Sequence, residues 1–291
     1  MTTKTRFFLA SLLCLTLAVS GCKAPTPGDS ASTSESATSA QEQQSPPTAE
    51  LPAAPQVAPG AVLVFDMAHG EIFGPDDTTE LGQSRAIERM KQAGFDVRVN
   101  TQTINADTLA NATGLMIAGP MRPLTREEYI AVNDFIERGG TLLLTIHVPF
   151  PVLAVPAHWG LPVTPFVMAS EAPVPGMDAG VFVADEIEKS YLTEGVSRVF
   201  VVSGWPVATS SKNASTPVKS GRGTWIDADN SGSQEPSETA SFGIVGSATV
   251  GKGHVIVTGD DAIFANIAIN EADNVRLLDN ILRLMSGAVG V

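Results

Sequence analysis

Residues 124–147 read LTREEYIAVNDFIERGGTLLLTIH. Thr125 followed three residues later by Glu128 is a capping box, with the apolar Leu124 before it. The stretch EEYIAVNDFIER continues as a helix, and Gly139-Gly140 supplies a stop where one glycine can take the left-handed conformation. TLLLTIH then runs apolar without alternation, as a strand buried on both faces does. A capped helix leading through two glycines into a buried strand is half of a βαβ unit, and it decides the fold class.

The same alternation continues on either side. AVLVF at 61–65 is a buried strand, 80–93 carries apolar residues at helical spacing with Gly94 as its stop, and FDVRVN follows as a second strand. GLMIAGP at 114–120 is a third strand, ahead of the capped helix. Near the C-terminus HVIVTGDD at 254–261 is a further buried strand, and ADNVRLLDNILRLMSG is an amphipathic helix with Leu277, Leu278, Ile281, Leu282 and Met285 on one stripe. Strands alternating with helices predict an α/β fold: a doubly wound, mostly parallel sheet with right-handed crossovers and helices on both faces. Residues from about 148 to 253 are rich in Pro and Gly, with short strands such as VFVV and FGIVGSATV, and are expected to form an inserted β-rich lobe.

The N-terminus has a different composition. Lys4 and Arg6 precede the apolar stretch Phe7 to Val19, which is too short to span a bilayer as a helix, and Val19-Ser20-Gly21-Cys22 closes it. That quartet resembles the lipobox of bacterial lipoproteins, which implies a signal peptide over 1–21 and acylation of Cys22. The expected location is the bacterial cell envelope, held to the membrane through the N-terminal lipid. Lys23, where aspartate would mark inner-membrane retention, points to the outer membrane. From 22 to 59 the chain is Ser-, Thr- and Pro-rich and reads as a disordered tether with a reach of about 30 to 35 Å. The globular domain is expected over 60–291.

Charge and cysteine usage exclude several chemistries. The chain carries a formal charge of −13, or −15 once Lys4 and Arg6 leave with the signal. So acidic a surface repels nucleic acid and anionic lipid. Both cysteines, Cys14 and Cys22, precede the domain, which leaves it no thiol for a disulfide, a Cys nucleophile or a zinc–thiolate site. A G-x-S-x-G elbow is missing as well, and Ser203-Gly204-Trp205 lacks the strand-turn-helix setting that a serine nucleophile needs.

Three blocks, VLVFDMAHGE, LTREEYIAVNDFIERGGTLLL and GKGHVIVTGDDAIFANIAINEADNVRLLDNILRLM, resemble the class I glutamine-amidotransferase-like domains of the uncharacterised, gliding-motility and intraflagellar-transport type. The resemblance implies a flavodoxin-like, amidotransferase-like fold. In true amidotransferases the strand equivalent to TLLLTIH leads to the nucleophilic Cys; here it leads to His147-Val148-Pro149, so the resemblance speaks for the fold and against that reaction.

On an open parallel sheet, sites lie beyond the carboxyl ends of the strands. Those ends carry Asp66, His69 and Glu71, then Pro120 and Arg122, then His147, then Asp260 and Asp261. A ligand pocket is expected from Asp66, His69, Glu71, His147, Asp260 and Asn266. The function this suggests is a non-catalytic envelope domain binding a ligand, glycan or partner protein. The alternative is an envelope hydrolase or metal-dependent enzyme using Asp66, His69, His147 and Asp260.

A separate motif is DADNSGSQEPSE at 227–238. Asp227, Asp229 and Ser231 fall at positions 1, 3 and 5 of an EF-hand-like pattern, Gly232 at 6, Ser233 at 7, Glu235 at 9 and Glu238 at 12. Strand-like flanks exclude the helix pair of a sensor. Two readings stand: a weak structural calcium site using Asp227, Asp229, Ser231, Ser233 and Glu238, or an acidic hairpin tip built for turn chemistry.

Overall fold

The computed structural model describes residues 52–150 and 152–287. The signal peptide, Cys22 and most of the expected tether lie outside the described residues. The first strand, β1 (Val62–Asp66), leads to helix α1 (Ser84–Ala93), then β2 (Asp96–Asn100), β3 (Gly114–Ala118), α2 (Arg126–Glu137) and β4 (Thr141–Thr145). The short helix α3 (Ala154–Ala157) follows, then β5 (Met168–Ser170), β6 (Val181–Ala184), β7 (Glu186–Ile187), β8 (Val199–Val202), β9 (Ala214–Lys219), β10 (Thr224–Ile226), β11 (Gly243–Val250), β12 (Gly253–Thr258) and the closing helix α4 (Asn274–Met285).

One eight-stranded sheet runs in the order β2-β1-β3-β4-β12-β11-β9-β7. Its first five strands are parallel, and β11, β9 and β7 continue it antiparallel. Helices α1 and α4 cover one face, where Met90 and Leu278 pack with Leu63, Met116 and Leu143; α2 covers the other, where Val132 and Phe135 pack with Val64, Leu115 and Leu144. The neighbours Leu63 and Val64 thus belong to opposite cores, as strand pleating requires. The predicted doubly wound fold is the one observed.

Several local expectations held. Thr125 accepts the Glu128 amide on its side chain at 3.2 Å, and Glu128 accepts the Thr125 amide at 2.9 Å, completing the capping box. The glycine stops Gly94 and Gly139 are left-handed. Three features differ. Helix α1 begins at Ser84 rather than near 80, because the amides of Gln83 and Ser84 turn back to the carbonyls of Gly74 and Asp77. The stretch 148–253 is β-rich but is not a separate lobe: β7, β9 and β11 extend the central sheet, while β5–β10 and β6–β8 form two ribbons beside it. Residues 52–59, assigned from composition to the tether, lie against α1 instead: the Val57 amide donates to the Ala93 carbonyl at 2.9 Å, and Ala54 and Val57 pack on the core.

Candidate functional site

The chain leaves β1 for β2 on one side and later returns to β3 on the other, so the switch in strand order falls between β1 and β3. Asp66 ends β1 and is fully buried. The turn after it brings the His69 Nδ1 to 2.6 Å from Asp66 Oδ2, and the Asn100 side-chain amide donates to the other Asp66 oxygen at 2.7 Å. His69 Nε2 faces Glu128 Oε2 at 3.3 Å. Glu128 also accepts the Ile104 amide, so one carboxylate caps α2, pins the segment after β2 and closes over the His69 ring. The His69 amide donates to Glu71 Oε2 at 2.8 Å, and its carbonyl accepts the amides of Met121 and Arg122.

Burial opposes charge on His69, but its bonds to Asp66 and Glu128 outweigh burial and raise its pKa. Burial also works against Glu128, yet hydrogen bonds from Thr125, His69 and Ile104 hold its pKa below the usual range. Glu71 goes the other way: burial first, and then the Asp66 charge, push it up to about 7. The network is therefore an imidazole held between two acidic side chains that favour its charged form, with a third carboxyl, Glu71, whose proton is held more tightly than usual. Asp66, His69 and Glu71 each bring an atom within 4.8 Å of the others. The geometry suits an internal ion network better than a metal ion, because carboxylates already engage both ring nitrogens of His69.

The end of β4 carries the second group. His147 Nδ1 lies 3.1 Å from Asp261 Oδ2, and the bond to Asp261 raises the pKa of the ring despite burial. Its side chain is 31% exposed, and its ring meets Phe73 edge-on, so the β1–α1 loop reaches across to β4. The Trp205 indole N–H holds the His147 carbonyl at 3.0 Å. Between them Gly119 turns with φ +66; a Cβ there would stand 2.8 Å from Asp261 Oδ2 and 3.0 Å from the His147 Cβ. This close approach requires glycine.

The remaining expected residues do other work. Asp260 is buried and accepts the Val202 and Ala262 amides; burial pushes its pKa up to about 8. Asn266 stands apart from the strand-end groups. Its side-chain oxygen accepts from Arg85 and Ser84 and its amide donates to Asp77 and Thr79, clasping the turn ahead of α1. Glu128 was legible as a cap but not as the partner of His69, and the pairing of His147 with Asp261 had no local signal; both contacts are made by the fold.

Asp227, Asp229 and Glu238 bring carboxylate oxygens within 4.8 Å of one another. Their loop joins β10 to a returning segment that bridges Trp225 through Thr239 and becomes strand only at Gly243, so one expected strand stands before the loop and the other begins five residues after it. Ser231 and Ser233 bond each other through their hydroxyls at 3.1 Å.

Residues 75–282 match the model of a family described as a domain of unknown function, DUF4350. The chain is a DUF4350 protein. No curated protein matched it. Among solved structures, the mmIFT52 N-terminal domain aligns with this DUF4350 chain at a TM-score of 0.66 and 13% identity, over 79% of this chain and 100% of that one. A putative ThuA-like protein from Bacteroides uniformis aligns at 0.45 and 14% over 81% and 94%, and a putative GMP synthase component from Thermoplasma acidophilum at 0.46 and 10% over 78% and 95%. The first likeness shows a shared fold, in keeping with the α/β architecture and mostly parallel sheet described above. Among the described residues no helix is long and apolar enough to cross a membrane.

Proposed function

We propose that this DUF4350 protein is a lipid-anchored envelope protein whose amidotransferase-like domain binds a partner protein, without turning it over, at the carboxyl edge of its parallel sheet. The observation that carries this reading is what the edge shows to solvent. Its carboxyl groups are turned inward, Asp66 and Asp260 being buried and both His69 nitrogens engaged. Outward, the loops after β1, β3 and β4 present Ile72, 57% exposed, Met121, 36%, and Phe150, 67%. Large apolar side chains exposed on the loops of one sheet edge are the composition that interaction surfaces use. Phe73 against His147 ties the first and third of these loops together. An amidotransferase nucleophile is not to be had from the chain's cysteines, which precede the domain at 14 and 22.

A hydrolytic reading has His147 and Asp261 as its best groups, since that ring reaches solvent. It would need a nucleophile beside the ring, and Asp261 is already bonded to it.

The anchor rests on the lipobox-like quartet ending at Cys22. In a bacterial host the full chain should take up labelled palmitate and fractionate with membranes; Cys22→Ser should lose both, and a Cys22→Ser chain that still labels would overturn the anchor. For the binding edge, the mature chain cross-linked in envelopes should retain a partner that Phe150→Asp and Ile72→Asp lose while Met177→Asp, exposed elsewhere, keeps it. Equal retention by all three, or turnover of an envelope substrate that His147→Ala abolishes, would sink the binding reading.

A further inference from the structure

We infer that the 227–238 loop is a binding site for a hard divalent cation, calcium by its ligand chemistry, that staples the β5–β10 ribbon. The decisive group is Glu238, which is 8% exposed. Its Oε1 accepts the amides of Ala228 and Asp229, whereas its Oε2 is buried with no hydrogen-bond partner. Asp227 repeats the arrangement: Oδ2 accepts the Gly232 amide at 3.1 Å, and Oδ1 is buried and unpartnered. These two carboxylates and Asp229 converge within 4.8 Å. Buried carboxylate oxygens without donors are costly, and two of them beside a third carboxylate, Asp229, repel one another. A cation among them removes both penalties.

The atoms on offer are all oxygens: the three carboxylates, the Ser231 hydroxyl and the Ser233 carbonyl, which lies 3.1 Å from that hydroxyl. Calcium takes six to eight oxygens in flexible geometry, whereas magnesium demands a tight octahedron and a transition metal prefers nitrogen or sulfur. Gly232, with φ +75 and open space around its Cβ position, allows the sharp turn that brings Glu238 back to Asp227. An ion here would join the two sides of the turn, where the Ile226 amide donates to the Glu238 carbonyl at 3.2 Å and β10 pairs with β5. From β5 the Met168 amide bonds the Gly204 carbonyl, next to the Trp205 that holds His147. None of the carboxylates in the loop depends on the proposed docking edge.

The test uses the mature chain from residue 22, stripped with chelator, in calorimetric titration and thermal melting. Calcium is expected to bind with a dissociation constant on the order of 10⁻⁴ to 10⁻³ M and to raise the Tm by about 2 to 5 °C at roughly 5 mM, magnesium doing less. Glu238→Gln and the exposed Asp229→Asn should each abolish the shift, and Asp229→Asn should melt no lower than the parent without calcium, because a repulsive charge is gone. No heat and no shift at that concentration would leave an acidic turn and overturn the site. A shift surviving in Asp229→Asn would place the calcium elsewhere and overturn it equally, even if Glu238→Gln failed to fold.

Discussion

Glu71 sets the most readable chemistry of the switch point. Its folded pKa of about 7 lies above its ordinary 4.5, so the folded state holds the proton more tightly than the unfolded chain. The stability this gives is complete below pH 4.5 and is lost as pH rises through 7. His69 and His147, also raised, run the same way above 6.5, and Asp260, pushed to about 8, adds to the slope. Glu128, lowered, acts in the opposite sense, and its window lies below 4.5. Melting should therefore occur at lower temperature at pH 8 than at pH 5. Glu71→Gln should make that fall shallower and raise stability at pH 8 by on the order of 3 kcal/mol, at about 1.4 kcal/mol per pKa unit; calorimetry at the two pH values checks it, and parallel curves for parent and variant would refute the assignment. Gly119 offers a second test at this scale. Gly119→Ala forces a left-handed alanine against Asp261 and His147. A loss of about 1 to 3 kcal/mol is expected, together with a His147 pKa, followed by NMR, moving back toward 6.5 as its carboxylate partner is displaced.

Among the elements, α1 and α4 were predicted separately, and what joins them was not visible in either. Arg89 of α1 donates to both Asp279 oxygens of α4, at 2.8 and 2.6 Å, in a buried bidentate pair. In sequence, Arg89 and Asp279 are charges on two separate helices with nothing to pair them; tertiary packing gives each its partner. Arg89→Met should destabilise by about 3 to 5 kcal/mol because it strands a buried carboxylate, while adding Asp279→Leu should recover much of the loss. Urea unfolding of the single and double variants measures both. The buried parallel strands were legible because an unbroken apolar run between turn residues has few other readings. Strand β9 was not. Pro217 lies inside it, and proline argues against an internal strand; the sheet tolerates it by shifting register, pairing Val245 with Val218 and Ser247 with Ser215. Strand β7 is two residues long and carries no pattern at all.

For the molecule as a whole, the sequence placed Asp66, His69, His147 and Asp260 beyond the carboxyl ends of parallel strands, and they lie there, because that follows from strand order alone. Which of these groups face solvent is settled by distant segments and is not written in the local sequence: Glu128 closes over His69, and Asn266 bonds the turn ahead of α1. The N-terminal limit of the domain shows the same effect. Composition marks 52–59 as tether, yet Arg89 donates to the carbonyls of Pro52 and Ala53 at 2.8 and 3.2 Å, and Val57 lies on the core. A Pro- and Ala-rich segment contributes little by its own propensity, but it needs little when a buried guanidinium has donors left over after its carboxylate partner. Removing the chain up to residue 59 leaves those donors without their carbonyls and uncovers the core beside α1. A chain beginning at 60 is therefore expected to unfold about 1 to 3 kcal/mol more easily than the mature chain, whereas one beginning at 50 should match it. Equal urea midpoints for both truncations would return 52–59 to the tether.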